Sequence, residues 1–372
     1  MRLILVIPSL ASGGAEHVMA LLANHWAGCA HQVTLVTMAS PDLDRVALHP
    51  AVTRVGLGLM HASGSAAQSL RENGARLARL RAALRAARPH AAISFLPSAN
   101  VLTVAAARTL RVPVIVAERI DPREEPIPRF WSWARRLLYP YATAVVVQTI
   151  EVTGWAERFI AADRIHVIPN PVAPATAADD DAGAEPPWLA RAGPQVVAMG
   201  RLTSQKGFDL LLRAFAACHA DHPSWSLVIL GEGEERPRLE ALAAQLGIDA
   251  AVAMPGHVAG AAAVLRRADL FVLSSRYEGF PNALLDAMTC GLPVIATDCP
   301  SGPRRIVRHA VDGLLVERDN VQALSAAMRR LMDQPEERRR LASRAVDVVQ
   351  RFSTTRVMAH WDALLARYAC AA

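Results

Sequence analysis

The chain has 372 residues, 52% of them hydrophobic, and a formal net charge of +6. That length predicts two domains, and the apolar share excludes a disordered chain. The positive balance points to an anionic partner, but with aromatic residues at 5% and no nucleic-acid-binding motif, nucleic acid is not expected among the partners.

The first ten residues, MRLILVIPSL, have the look of a secretory leader. They are read as a first strand, because the apolar stretch is short and ASGGAEHVM then opens an amphipathic segment. The runs QVTLVTM, AAISFL, VPVIVAE and TAVVVQT follow, with helical patterns between most of them. Short β-branched runs alternating with helices predict a parallel sheet covered on both faces. Between two of these runs, Ser69 to His90 reads as a basic helix. Arg81, Arg85 and Arg88 recur on one face beside Leu77, Leu80 and Leu84, and Glu72 is the only acid. Such a run is ordinarily a solvated cationic face. Its functional reading is a surface for lipid phosphates. Further on, RFWSWARRLLYPY places Phe130, Ala134, Leu137 and Tyr141 on one face, with Arg129, Arg135 and Arg136 mostly off it. An interfacial helix and ordinary core packing both fit that pattern.

The alternation stops near Val172, where a stretch rich in Ala, Asp, Gly and Pro reads as a linker. It restarts with QVVAMG, SLVILG, AVAMPG, DLFVLSS, LPVIATD and GLLVE, and from about Asn320 the chain is helical to the end. The expected organisation is an α/β chain of two facing Rossmann-like, doubly wound domains with a cleft between them: 1–172, a linker over 173–195, 196–350, and a C-terminal helix over 351–372 returning to the first domain. Ligands of open α/β sheets bind at the carboxyl ends of strands. No run of about 18 uninterrupted apolar residues occurs, so no membrane-spanning helix is expected. The five cysteines, Cys29, Cys218, Cys290, Cys299 and Cys370, are odd in number and form no CxxC pair. Neither a disulfide framework nor a structural zinc site is expected, and a reducing cytoplasmic setting fits.

The segment GRLTSQKGFDLLLRAF holds the only lysine; every other one of the 40 Lys and Arg side chains is an arginine. A compact ammonium on a flexible stem reaches a phosphate oxygen where a planar guanidinium does not fit. Arg201 at the strand end, Lys206, and a helix N-terminus near Gly207 converge into a diphosphate cradle. Taken singly, Arg201 reads as well as a partner of some carboxylate, and Lys206 as a solvated loop cation. In SSRYEGFPNALLD, the segment Glu278, Gly279, Phe280, Pro281 and Asn282 aims a carboxylate and a helix start at the ligand, with Pro281 placed as the first helical residue. A carboxylate accepts two hydroxyl hydrogen bonds at once, which suits a sugar diol. Asp286, about two turns on, either faces the same ligand or is an ordinary solvated helix acid.

GRLTSQKG, RYEGFPNALLD and DCPSGP together resemble the donor half of a family-4 glycosyltransferase of the GT-B fold. SLASGGAEHVM resembles that family's N-terminal glycine loop, and VIPNPV the end of its first domain. The resemblance implies retaining transfer from a nucleotide-sugar donor with no cofactor and no essential metal. It implies that Arg201 and Lys206 bind the donor diphosphate and that Glu278 holds donor-sugar hydroxyls. Asp286 then stands where the family's second acid, usually a glutamate, holds the ribose diol. The base is expected near His257 and Val258, and Gly13 and Gly14 match the loop over the donor phosphates. Glu118 and Arg119 resemble a subgroup with ER-x-DP that builds polysaccharide or lipid-linked oligosaccharide, often from UDP-linked hexoses or N-acetylhexosamines. Glu118 is then expected at the donor sugar and Arg119 at the acceptor, and a mutual salt bridge is the ordinary alternative. The implied partners are the nucleotide sugar, a glycan or polyprenyl-diphosphate-glycan acceptor and, through Arg81, Arg85 and Arg88, an anionic membrane surface. The chain is accordingly expected on the inner face of the cytoplasmic membrane.

Rival readings fit less. Asp179, Asp180 and Asp181 spell a DxD, but in the linker with no strand before them. Neither SGGAEH nor GEGEER matches the GxGxxG of dinucleotide enzymes. A sugar-nucleotide epimerase on the same fold, or a non-catalytic nucleotide-sugar-binding regulator, remains open.

Overall fold

The structure, a computed structural model, describes residues 1–11, 13–60, 66–173, 193–258 and 260–369, with the backbone alone at 66, 67, 69 and 70. Asp179 to Asp181, Cys370 and most of the expected linker lie outside the described residues. The chain divides into two compact units, Met1–Pro171 with Thr355–Ala372, and Val172–Thr354.

Unit 1 runs β1 (Arg2–Ile7), α1 (Gly14–Gly28), β2 (Gln32–Thr37), β3 (Thr53–Gly56), α2 (Ala66–Ala87), β4 (Ala91–Phe95), α3 (Pro97–Ala107), β5 (Val114–Ala117), α4 (Arg129–Leu138), β6 (Ala144–Val147), α5 (Thr153–Ala156) and β7 (Ile165–Val167). Its seven strands lie in the order β3-β2-β1-β4-β5-β6-β7, all parallel. The period of two in a strand explains the layering. Leu3, Leu5 and Ile7 enter a core with α1, while Ile4 and Val6 enter the opposite core with α2 and α3. Both faces are buried, so the strands read as continuous apolar runs. β3 and β7 escape the sequence reading: they are edge strands of four and three residues with an arginine and a histidine inside, respectively.

Unit 2 runs β8 (Gln195–Met199), α6 (Phe208–His219), β9 (Ser226–Leu230), α7 (Arg236–Gln245), β10 (Val252–Gly256), α8 (Ala261–Arg267), β11 (Leu270–Leu273), α9 (Asn282–Thr289), β12 (Val294–Thr297), α10 (Pro303–Ile306), β13 (Leu314–Val316), α11 (Val321–Asp333), α12 (Pro335–Ala345) and α13 (Val348–Arg351). The six parallel strands are ordered β10-β9-β8-β11-β12-β13. Val196 and Ala198 face one core and Val197 the other.

A last helix, α14 (Thr354–Ala369), packs with unit 1. Trp361 is fully buried there, edge-on to Trp26 at 6.5 Å between centroids and 5.9 Å from Phe95. Among the described residues no helix is long and apolar enough to cross a membrane.

Candidate functional site

In unit 2 the strand order reverses between β8 and β11, and the loops leaving their carboxyl ends part there. Such a switch point opens the crevice where ligands of open α/β sheets bind. Lys206 ends a 3-10 turn over Ser204–Lys206 in the first loop, and Glu278 stands in the second. The Lys206 Nζ donates to Glu278 Oε1 at 2.6 Å, and Ser275 Oγ donates to the same oxygen at 2.7 Å. The two charged side chains are 15% and 6% exposed. The lysine is therefore neither a solvated cation nor a free one: it forms an ion pair with the glutamate expected to share its ligand.

Backbone contacts fix that geometry. Gly207 sits at φ +61°, and a Cβ there would lie 2.2 Å from the Ser274 carbonyl oxygen. Only glycine allows both the left-handed turn and the close approach. Ser274 Oγ donates to the Lys206 carbonyl at 2.9 Å, Arg276 N–H to the Gln205 carbonyl at 2.8 Å, and Gln205 Nε2 to the Tyr277 carbonyl at 3.0 Å. Arg276 also grips Asp209 through two bonds of 2.8 and 2.9 Å, tying the second loop to the first turn of α6. From the other side, Ser301 Oγ donates to the Glu278 carbonyl at 2.8 Å, and Gly302, at φ +85°, brings a would-be Cβ to 2.5 Å from the Gly279 carbonyl oxygen. The DCPSGP segment thus braces the glutamate loop. Ser275 and Ser301 were not legible in the sequence, because serine is common and its aim depends on the turn that carries it.

Arg201 is exposed and forms no ion pair among the described residues, so the carboxylate partner considered for it is not found there. Pro281 is the residue before α9 rather than its first helical residue; Asn282 begins the helix. A proline N-cap still loses nothing, since its missing N–H falls where the helix has no acceptor to offer. Phe280 is buried, edge-on to Phe352 at 5.1 Å, and so anchors the loop, with Gly279 ahead of it leading the backbone past Gly302. Asp286 is exposed on α9 and has no ion pair among the described residues. Crowding by surrounding protein pushes its carboxyl up to about 7; its open contact with water limits that rise. His257, exposed, and Val258, half-buried, follow β10.

Unit 1 has its own switch point, between β1 and β4. Gly13 caps α1 and Gly14 begins it, at the end of the connection that leaves β1. After β4, Leu96 adopts φ +77°, a left-handed conformation a branched side chain rarely takes and one the sequence does not announce. Glu118 and Arg119 follow β5 and are both buried. As consecutive residues of an extended segment they point to opposite faces, so they do not pair with each other. Glu118 Oε1 accepts from Tyr139 Oη at 2.5 Å and from Arg135 Nη1 at 3.3 Å, while Oε2 has no partner. Burial raises the Glu118 carboxyl, with Arg135 and the Tyr139 hydroxyl pulling it back. Arg119 stacks 4.3 Å over the Phe95 ring and donates to Asn170 Oδ1, leaving Nε and Nη1 without partners. Burial lowers its guanidinium to about 9.

Arg85 and Arg88 lie elsewhere. α2 ends at Ala87 and β4 starts at Ala91, so these arginines sit at the amino edge of the sheet, where Arg2 Nε donates to the Arg88 carbonyl at 2.7 Å. Arg81 bonds Thr109 at the end of α3. With Glu118 and Arg119 at the carboxyl edge, unit 1 does not bring its two sets of expected acceptor residues together. No group of three or more His, Cys, Asp or Glu placed to hold a metal occurs among the described residues.

Two family profiles divide the chain between them: "Glycosyl transferase 4-like domain" matches residues 13–171 and "Glycosyl transferases group 1" residues 189–347. An α-1,4-N-acetyl-D-galactosaminyltransferase of Campylobacter jejuni, named for an undecaprenol-diphosphate-linked glycan substrate, is 27% identical over 98% of both chains. An exopolysaccharide phosphotransferase of Streptomyces coelicolor is 33% identical, but the match takes in 60% of this chain and only 23% of that protein. Among solved structures, Anabaena HepE in complex with UDP and glucose superposes with a TM-score of 0.80 at 18% identity, over 99% of this chain and 100% of that one. Two parallel α/β units, the paired family matches and the GT-B neighbour lead to one assignment: the chain belongs to the family-4 glycosyltransferases of the GT-B fold.

Proposed function

We propose that the chain is a retaining glycosyltransferase that moves a hexose or N-acetylhexosamine from a UDP-sugar to a polysaccharide or polyprenyl-diphosphate-linked glycan. The observation that carries this reading is the Lys206–Glu278 ion pair at the unit 2 switch point, with Arg201 open beside β8. A donor offers each partner something better than the other: diphosphate oxygens for the ammonium, sugar hydroxyls for the carboxylate. Arg201 adds a second cation. As the anomeric C–O bond to the diphosphate breaks, negative charge grows on the leaving oxygen, and Lys206 and Arg201 stabilise it. The acceptor hydroxyl attacks from the same face, and its proton passes to the leaving phosphate oxygen. Ser275 holds the Glu278 carboxylate in place. Asp286 takes the ribose diol, the backbone at His257 and Val258 the base, and Gly13 and Gly14 cover the phosphates. Support for UDP comes from HepE, solved with UDP, and for a lipid-linked acceptor from the Campylobacter relative's substrate. In this reading Glu118 serves the donor sugar and Arg119 the acceptor.

Nucleotide release tests this. UDP-, GDP- and ADP-sugars are offered with and without a polyprenyl-diphosphate glycan, in detergent with EDTA. Release with one UDP-sugar that needs the acceptor and survives EDTA is the expected result. Release without acceptor would indicate an epimerase or hydrolase instead, and binding without turnover on any acceptor a regulator. Loss of release in EDTA would overturn the metal-free route.

A further inference from the structure

We propose that the outer flank of unit 1 made by α4, the end of α3 and the end of α2 is the surface on which the protein rests against an anionic lipid bilayer. This deepens the reading of the acceptor as lipid-borne and rests on it for its purpose, but the surface is argued from its own chemistry. Phe130, Trp133, Leu137 and Tyr141 are 49%, 62%, 51% and 52% exposed. Their spacing of three, four and four residues sets them in one stripe along α4 and the turn after it. The inward face of the same helix is taken by Ala134 and Arg135, with Tyr139 beyond them. The sequence pattern had put Ala134 in the apolar stripe; the structure buries it and exposes Trp133, so core packing does not account for the exposed aromatics. A Trp- and Tyr-bearing apolar stripe flanked by cations is the composition of an interfacial helix.

The three segments that make this surface carry charge of one sign. Residues 79–90, 104–116 and 128–145 contain no aspartate or glutamate. α3 packs against both α2 and α4, so the three segments adjoin. Arg108, at the end of α3, stacks 3.9 Å over the Tyr141 ring, and Arg81 of α2 bonds Thr109 beside it. Arg85, Arg88, Arg108, Arg111, Arg129 and Arg136 are exposed, and none forms an ion pair among the described residues. On other faces several arginines hold carboxylates, among them Arg236, Arg276, Arg308, Arg330 and Arg340. Exposed cations left without counterions beside exposed aromatics complement lipid phosphates, each cation adding attraction within a Debye length of the surface. A protein partner would have to supply both an apolar groove and a row of acids; a bilayer of anionic lipid supplies both by its nature. α4 leads from the segment after β5 to the start of β6, so the stripe borders the carboxyl edge of the sheet at Phe130 and the amino edge at Tyr141. A lipid-anchored substrate held in the bilayer would thus reach the edge that carries Glu118 and Arg119.

The test is co-sedimentation of the full chain with vesicles of phosphatidylglycerol and phosphatidylethanolamine, against vesicles of phosphatidylcholine alone. Binding to the first and not the second is expected, weakening with salt. Trp133→Ala with Leu137→Ala should lower partition about tenfold or more, and Arg108→Glu with Arg136→Glu should remove the preference for phosphatidylglycerol. Turnover of a detergent-solubilised polyprenyl-diphosphate acceptor by the Trp133→Ala, Leu137→Ala variant should stay at the wild-type rate, which separates the surface from the acceptor chemistry. Loss of that turnover while vesicle binding persists, wild-type vesicle binding by the aromatic variant, or no binding at low salt would each overturn the proposal. So would a wild-type dimer in sedimentation velocity that the aromatic variant dissolves, because a second copy would then cover the stripe. Failure of every polyprenyl acceptor in detergent alongside intact vesicle binding would overturn the lipid-borne acceptor and leave the surface standing.

Discussion

Lys206 and Glu278 hold each other in a setting with little water, where removing one partner strands the other as a buried charge. On the proposed roles, Lys206→Ala should lower donor turnover by about a hundredfold or more, the scale of losing one preorganised charge at a leaving group. Glu278→Ala should weaken donor-sugar binding, and the double variant should cost less than the two single effects combined, because the side chains share one interaction. Steady-state kinetics of the three variants check this; additive losses would mean the pair does not act as a unit. Asp286→Asn should raise the donor KM by about tenfold or more, the size of a hydrogen bond to a charged group. Only the ionised carboxylate accepts from both ribose hydroxyls, and its carboxyl is pushed up toward about 7. The donor KM of the wild type should therefore rise as pH falls below about 7 and stay flat in Asp286→Asn. Lys206 was conspicuous in the sequence because it is the sole lysine, and Glu278 because of its spacing before Pro281. That the two meet could not be read, since 72 residues separate them and strand order alone brings them together.

At the scale of elements, loops are held by backbone approaches that only glycine allows. Gly207→Ala should destabilise unit 2 by roughly 2–4 kcal/mol, combining a left-handed residue with a carbonyl clash. Thermal unfolding checks it, and a Tm within a degree of wild type would mean the loop has another arrangement available. The six strands of unit 2 and five of unit 1 were legible as β-branched runs, because strands buried on both faces carry unbroken apolar sequence. Thr53–Gly56 and Ile165–Val167 were not, since each borders only one neighbouring strand and is too short for a pattern. α4 was legible as amphipathic but not as to which side faces out: its inward face is fixed by Arg135 bonding Glu118, an acid seventeen residues earlier. Two local rules break at the carboxyl edge of unit 1, namely left-handed Leu96 and buried Arg119 with unpartnered nitrogens. Such departures tend to gather at ligand sites.

For the whole molecule, the chain passes from unit 1 to unit 2 at Pro171–Val172 and returns at Thr354–Thr355. Trp361→Ala should cost unit 1 roughly 3–5 kcal/mol, as a fully buried tryptophan leaves a cavity against Trp26 and Phe95. In calorimetry the transition of unit 1 should shift down while that of unit 2 keeps its place; equal shifts would mean the units unfold as one. The return crossing also orders events during synthesis. Unit 2 is complete once Thr354 has left the ribosome, whereas unit 1, begun first, waits for α14 to cover Trp26, Phe95 and their neighbours. For the time it takes to translate the intervening 183 residues, at roughly 5–20 residues per second, the older half of the protein carries an open apolar face. The domain whose first strand emerges earliest is thus the last to reach its native core, and it is the half that chaperones would be expected to shield.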